Sequence, residues 1–504
     1  MDRLLSSPDL PRLAVLMLII AAVNAAGLLL FAVDVRLPFA FLIAVVGTIV
    51  ALESPLLGIA LVLAGRVTST GANAWIRIGS LNLDLFEPSV MLVLTAIVLR
   101  MASRKTFIWP DAPWRLPMLV FLGFQFVSIV WSVNKTEGIS EIVATLILLA
   151  TTFAILTIVK TYDHLRYMSY AWIGASVLVG LASVLGVTTP SESATFEMAS
   201  GNRAGGFGQH PNWFSMNLMY GVMLAAAYTL VERKLNMRLI MAATAMFLFL
   251  AQMMSGSRGG SGAIIIGSGI AAMFHPVLRA QVFKFAVVGA VAVVGIILTD
   301  DGSTAAAFSR IWVDSATADS QLGAGVREQN WLVCVEMFKD TWGRGIGAGG
   351  YETLLPFYNY WISNSDYTYP HGIFWGILAH YGVVGLVLMF WVVVVIVRMT
   401  VQMVRWLQGK PEQMLVLAMF GTMIGYFSWS FFEFLYDEKP FWEFLGLYTV
   451  LWTIARNEAQ AAEAAAAPPP KAALEVPETT DRIDEPPVGP DDDTGRRAWS
   501  GAGS

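Results

Sequence analysis

The segment Tyr369-Pro-His371 puts an imidazole at the entry of a long apolar run, and Ser257-Arg258-Gly259 puts a guanidinium in a tight turn between two such runs. An imidazole takes a proton from a hydroxyl near neutral pH, and a guanidinium grips a phosphate through two N–H groups in a planar fork. Arg327 leads Arg327-Glu-Gln-Asn-Trp331, which continues through Glu336 and Asp340 to the glycine-rich Gly343-Arg-Gly-Ile-Gly-Ala-Gly-Gly350. Arg203, Gly206, His210 and Asn212 share the segment Asn202-Arg-Ala-Gly-Gly-Phe-Gly-Gln-His-Pro-Asn-Trp213. Glycine there lets a ligand approach the backbone, and the apolar run that follows offers free N–H groups to an anion. Each feature also has a plainer reading. The glycine loop is a connector, Arg258 snorkels to the head groups, Arg327 pairs with Glu328 or Asp340, and His371 is structural.

These residues need elements to hold them, and the composition says which kind. The chain has 504 residues, 56% hydrophobic and 14% charged, with a mean hydropathy of +0.61. This predicts an all-α polytopic membrane protein with about 12–14 transmembrane helices, the run at 55–65 being only partly inserted. Arg3 and Arg12 precede the apolar run Leu13 to Val33, which reads as an uncleaved first span. The formal net charge of −5 lies largely in the tail, and no basic patch points to nucleic acid. The single cysteine, Cys334, reads as a small buried apolar residue.

Basic residues alternate between loops. Arg100, Arg104, Lys105 and Arg115 share one loop, followed by loops with Lys160 and Arg166, with Arg233, Lys234 and Arg238, with Arg279 and Lys284, and with Arg398, Arg405 and Lys410. All fall on one side, which the positive-inside rule makes cytoplasmic together with both termini. The other side collects 66–87, 188–212, 255–260, 300–370 and 432–439, and so every candidate above. Arg327, Trp331 and Val335 or Glu336 stand at helical spacing and predict a short amphipathic helix within the large outer loop. The organisation expected is N-terminal spans over 1–187, a catalytic membrane region over 188–455 that includes outer loop 300–370, and a disordered Ala/Pro-rich acidic tail over 456–504.

Taken in order, the clusters resemble the O-antigen ligase and O-antigen polymerase family of membrane glycosyltransferases. Arg203 with Gly205, Phe207 and Pro211-Asn212 looks like one family segment, and Ser257-Arg258-Gly259 is similar to its Ser-Arg-Gly turn. Arg327 through Trp331 to Gly345-Ile-Gly347 looks like its arginine-led loop helix, and Pro370-His371 with Gly382-Val-Val-Gly385 resembles its Pro-His-Asn and downstream glycine pattern. The resemblance covers about residues 195 to 390. Gly372 departs from it, standing where the family commonly has asparagine.

The resemblance implies a class C glycosyltransferase architecture and an outer-face site above a lipid-filled groove. It implies inversion at the anomeric carbon without metal or other cofactor. His371 would be the general base, and Arg258 and Arg327 would hold the leaving diphosphate. Arg203, Gly206, His210, Asn212, Ser257, Trp331 and Tyr369 would contribute substrate contacts. The implied partners are a polyprenyl-diphosphate-linked oligosaccharide, a glycan, lipid or protein acceptor, membrane lipid and a chain-length regulator. The implied location is the bacterial plasma (inner) membrane, in cell-surface polysaccharide biosynthesis. Asp300 and Asp301 leave a divalent-ion site open. A polyprenyl-linked glycan flippase is the alternative, and it would place its ionisable residues inside the spans.

Overall fold

The computed structural model describes residues 48–68, 76–78, 81–83, 93–99, 110–186, 205–206, 211–299, 318–358, 370–432 and 439–466. Its labelled helices begin with α1 (Pro55–Thr68), α2 (Arg115–Ser128), α3 (Lys135–Ile158), α4 (Tyr162–Val184), α5 (Pro211–Val231) and α6 (Leu235–Met253). They continue with α7 (Arg258–Phe274), α8 (Pro276–Thr299), α9 (Ala318–Asp340) and the short α10 (Tyr351–Leu354). The last are α11 (Ile373–Trp406), α12 (Glu412–Ser430) and α13 (Lys439–Ala466).

The fold is all-α and polytopic, as the composition demands. Among the described residues, six helices are long and apolar enough to cross a membrane: α3, α4, α5, α6, α8 and α11. The runs over 13–33 and most of 37–52 lie outside the described residues. One small β element interrupts the helices. Strands β1 (Ile76–Ile78) and β2 (Leu81–Leu83) pair antiparallel with Ile76 opposite Leu83. The signal for this hairpin is the alternating Ile-Arg-Ile and Leu-Asn-Leu around Gly-Ser. A second correction concerns the C-terminus. Helix α13 runs on to Ala466, past the predicted boundary at 456, because Ala, Glu and Gln favour helix over coil. Residues from Ala459 form a separate unit, of which 459–466 are helical.

The helices alternate in direction, so the bundle has two ends. At one end Lys410 pairs with Glu458 at 2.7 Å, Gln281 donates to Thr229 at 3.1 Å and the Tyr170 hydroxyl donates to Glu232. Arg238 donates to the Thr229 carbonyl at 2.8 Å at this end. The other end carries the segments on which the functional reading rests. Between the ends, the tightest seam is α7 against α12. Small residues recur every fourth position on α7 as Gly259, Ala263, Gly267 and Ala271, forming one bare stripe. A β-carbon at Gly267 would press into the Gly421 carbonyl, and one at Gly425 would stand 2.6 Å from the Ala263 carbonyl. Backbones in direct contact leave no room for a larger side chain. Gly267→Leu is therefore expected to destabilise the bundle by about 1–3 kcal/mol or more, read as a lowered melting temperature in detergent.

Helix α11 is the other element that shapes the site. The sequence predicts one continuous span from 371, but Gly382 breaks it at φ 60° and ψ −152°. A side chain at Gly385 would lie 3.1 Å from Ile377, although residues eight apart in a straight helix are about 12 Å apart. Residues 373–381 therefore form a separate arm that meets 383–406 at a sharp corner. The corner strands backbone groups, and the loop after α9 satisfies them. Ile346 N–H donates to the Ala379 carbonyl at 2.9 Å, Gly347 N–H to the His380 carbonyl at 2.9 Å, and Val383 N–H to the Gly343 carbonyl at 3.1 Å.

Candidate active site

Helix α9 runs alongside this arm in the same direction, with Trp331 near the arm's start and Met337 near Ala379, and fixes the register of the site. Val333, Cys334 and Met337 bury one face of α9 against Ala379, Ile346, Tyr351 and Leu355. Nearer the start of the arm, the Trp331 and Trp375 rings stack at 5.7 Å, and the Trp331 indole N–H donates to the His371 carbonyl. Arg327 stands one helical turn before Trp331 on the same face, so this register carries it alongside His371. His371 is 2% exposed and precedes Gly372, the N-cap of α11. It thus sits in the lead to the helix, one residue before the cap.

The tip of α12 joins this half of the site to the other. Phe431 and Phe432 lie 6.0 Å and 6.3 Å from the Trp331 ring. Two residues earlier, Trp429 packs its indole edge against Gly259, beside Arg258 at the start of α7. Arg258 is exposed, and Ser257 caps its helix by accepting the Gly260 N–H at 3.3 Å. Behind the turn, buried Gln252 donates to Ser215 at 2.9 Å against the bare face of Gly260. The tip of α12 thus has Arg258 on one side and His371 with Arg327 on the other.

Glycines set these close approaches. Gly345 and Gly347 have φ of +84° and +88° and lie against the helix break and the Ser128 carbonyl respectively. Their conformation belongs to the stitched corner. Gly372 has φ +122°, and a β-carbon there would meet the Phe431 carbonyl at 2.5 Å and Trp375 at 2.8 Å. Glycine at this position is thus demanded by the local backbone.

The structure packs Trp331 against His371, and the tip of α12 links this pair through Phe431 and Trp429 to the Ser257–Arg258 turn. Asn212 lies in the first turn of α5, half-buried, and leads to Ser215 one turn on. Gly206 is buried, and a side chain there would collide with the Val179 carbonyl of α4, so its close approach is helix packing. Arg203, His210 and Tyr369 lie outside the described residues, as do Asp300 and Asp301. Asp340, offered as a partner for Arg327, accepts from the Tyr358 hydroxyl at 2.7 Å. No group of three or more His, Cys, Asp or Glu that could hold a metal occurs among the described residues.

An apolar pocket of about 50 Å³ opens beneath the arm. Its walls are Ile373 and Ile377 of the arm, Met389 beyond the corner, Phe121 of α2, Tyr426 of α12 and Phe441 of α13. Tyr426 also lies 6.3 Å from Trp429, so the pocket reaches the aromatic tip.

On the α9 side, burial pushes the Cys334 thiol well above its ordinary range, and burial likewise raises the Tyr351 phenol. A raised thiol pKa means less thiolate at any working pH, so reactivity falls. A maleimide at pH 8 is expected to leave the folded protein unlabelled and to label it fully after denaturation. Labelling at the rate of an exposed cysteine would show that α9 is not docked on the arm.

The comparison with known families bears on this arrangement. A family model described as O-antigen ligase matches residues 243–390. That stretch is similar to the O-antigen ligase family. The matched region holds Arg258, Arg327, Trp331 and His371, together with the helix break at Gly382. Asn212 and the aromatic tip of α12 lie beyond it. No curated protein matches the chain.

Sequence reasoning missed Trp375, Trp429 and Phe431, which read as ordinary aromatics of apolar runs. It also missed Arg66 and Glu443, which pair at 3.3 Å with each side chain 1% exposed. Their signal was partly available: Glu443 is a charge inside an otherwise apolar run, and Arg66 directly follows another.

Proposed function

We propose that this O-antigen ligase-type membrane protein is an inverting, metal-independent glycosyltransferase. It transfers or polymerises an oligosaccharide from a polyprenyl diphosphate carrier at the extracytoplasmic face of the bacterial plasma membrane. The observation that carries this reading is the convergence of His371, Arg327 and Arg258 about one aromatic tip above an apolar pocket. The pocket suits a prenyl chain, and the guanidiniums suit its diphosphate. The sorting of loop arginines and lysines to the opposite end supports placing both termini in the cytoplasm.

In this reading the His371 imidazole takes the proton of the acceptor hydroxyl as that oxygen bonds to the anomeric carbon. The bond from that carbon to the diphosphate oxygen breaks on the opposite face, which inverts the centre. The departing diphosphate keeps the electron pair, and Arg258 and Arg327 stabilise its growing charge. Glycan, lipid and protein acceptors all supply the required hydroxyl or amide. Arg203, His210, Asn212 and Tyr369 are assigned to sugar and acceptor contacts, and a chain-length regulator is a further partner of the polymerase form.

One observation favours transport instead. The Arg66–Glu443 pair is an ionisable site inside the bundle, where a flippase keeps its charges. The two readings separate in an assay with a polyprenyl-diphosphate oligosaccharide and candidate acceptors, read by gel and mass spectrometry. The wild type is expected to form a longer or transferred glycan. Arg258→Ala and Arg327→Ala are each expected to slow this about 10²–10³-fold, the loss typical of a charge-stabilising donor. A protein that moves the lipid across liposomes and makes no product would overturn the transferase reading.

A further inference from the structure

We infer that Trp429 is a further binding residue of the site, its indole N–H donating to the anionic head group that Arg258 holds. The inference rests on the transferase reading above. Trp429 is 1% exposed, and its Nε1 has no hydrogen-bond partner among the described residues. The next residue, Ser430, is fully buried, and its hydroxyl is also without a partner. A buried donor left unmade is costly, and native structures retain few of them. Two in succession at the tip of one helix call for something that satisfies them.

Their position says what that is. The Trp429 ring edge faces the first turn of α7, with Nε1 3.3 Å from the point where a β-carbon of Gly259 would stand. That turn carries Arg258 on its outside and is the positive end of a helix dipole, both of which favour an anion. Gly259 has no side chain to hold the indole edge away from the turn, so an acceptor oxygen bound by Arg258 lies within reach of the indole N–H. The ring is held by neighbours that do not use its nitrogen. Tyr426 lies 6.3 Å away and itself stacks on Phe441 at 4.5 Å. Tyr426 and Phe441 also wall the apolar pocket, so a ligand with an anionic head at Trp429 has room for an apolar tail beside it. That combination is a prenyl diphosphate.

The test replaces Trp429 by β-(3-benzothienyl)alanine, which keeps the ring shape and removes the N–H. Binding of geranyl diphosphate to the full chain in nanodiscs is measured beside wild type, Trp429→Phe and Arg258→Ala. The benzothienyl protein is expected to bind about tenfold more weakly or worse, the loss typical of one hydrogen bond to a charged group. Trp429→Phe is expected to match it, with melting temperatures that report whether either variant has lost its fold. Wild-type affinity in the benzothienyl protein with loss in Arg258→Ala would overturn this inference and leave the transferase reading standing. Unchanged binding in both, or no binding by the wild type, would overturn both.

Discussion

His371→Ala is expected to lower glycosyl transfer about 10²–10⁴-fold, the contribution typical of a positioned general base. The protein should remain folded, because the hydrogen bond that anchors this residue runs from the Trp331 indole to its backbone carbonyl, which alanine keeps. The Trp331–Trp375 stack and the corner at Gly382 are likewise independent of the imidazole. Donor affinity should stay within about threefold of wild type, since the diphosphate is assigned to Arg258 and Arg327. Initial rates at saturating donor, with donor affinity measured separately, check both halves. Wild-type rates in a folded His371→Ala protein would remove the base from the mechanism.

Glu443→Ala is expected to destabilise the protein by about 3–5 kcal/mol, because it leaves the Arg66 guanidinium buried without its carboxylate. The pair ties α1 to α13, and a charge stripped of its partner inside a bundle has few routes back to water. Arg66→Met with Glu443→Leu should recover most of that loss, since apolar replacement of both partners removes the desolvation cost as well. Thermal unfolding in detergent reads the single and the double change. The double variant also bears on function. A transferase with its chemistry at the outer end should keep its activity without the pair, whereas a transporter that uses the pair would lose flux.

The helical bundle was legible in the sequence, as was the stretch that holds Arg258, Arg327 and His371. Hydropathy found the spans, six of which are long and apolar enough to cross a membrane among the described residues, because its signal comes from burial and is spread over many residues. The corner in α11 was not legible, since Gly382 sits in an apolar run that reads as one span of about 51 Å when straight. Only the stitched hydrogen bonds from Ile346 and Gly347 show why a broken helix is stable there. The loop helix was read as short from Arg327 onward. Helix α9 in fact begins at Ala318, where Gly and polar residues hide the helical period. Trp429 was invisible because a tryptophan near the end of an apolar helix has no sequence mark that tells a packed ring from an unmet donor.

The central claim is that this end of the bundle breaks the glycan–diphosphate bond while forming another. The most direct measurement counts free polyprenyl diphosphate against new glycosidic bonds in one reaction of the purified protein, with the anomeric configuration of the product read by NMR. One diphosphate released per bond, with inversion, is the expected result. Donor that crosses the membrane intact with no diphosphate released, or product with retained configuration, would contradict it.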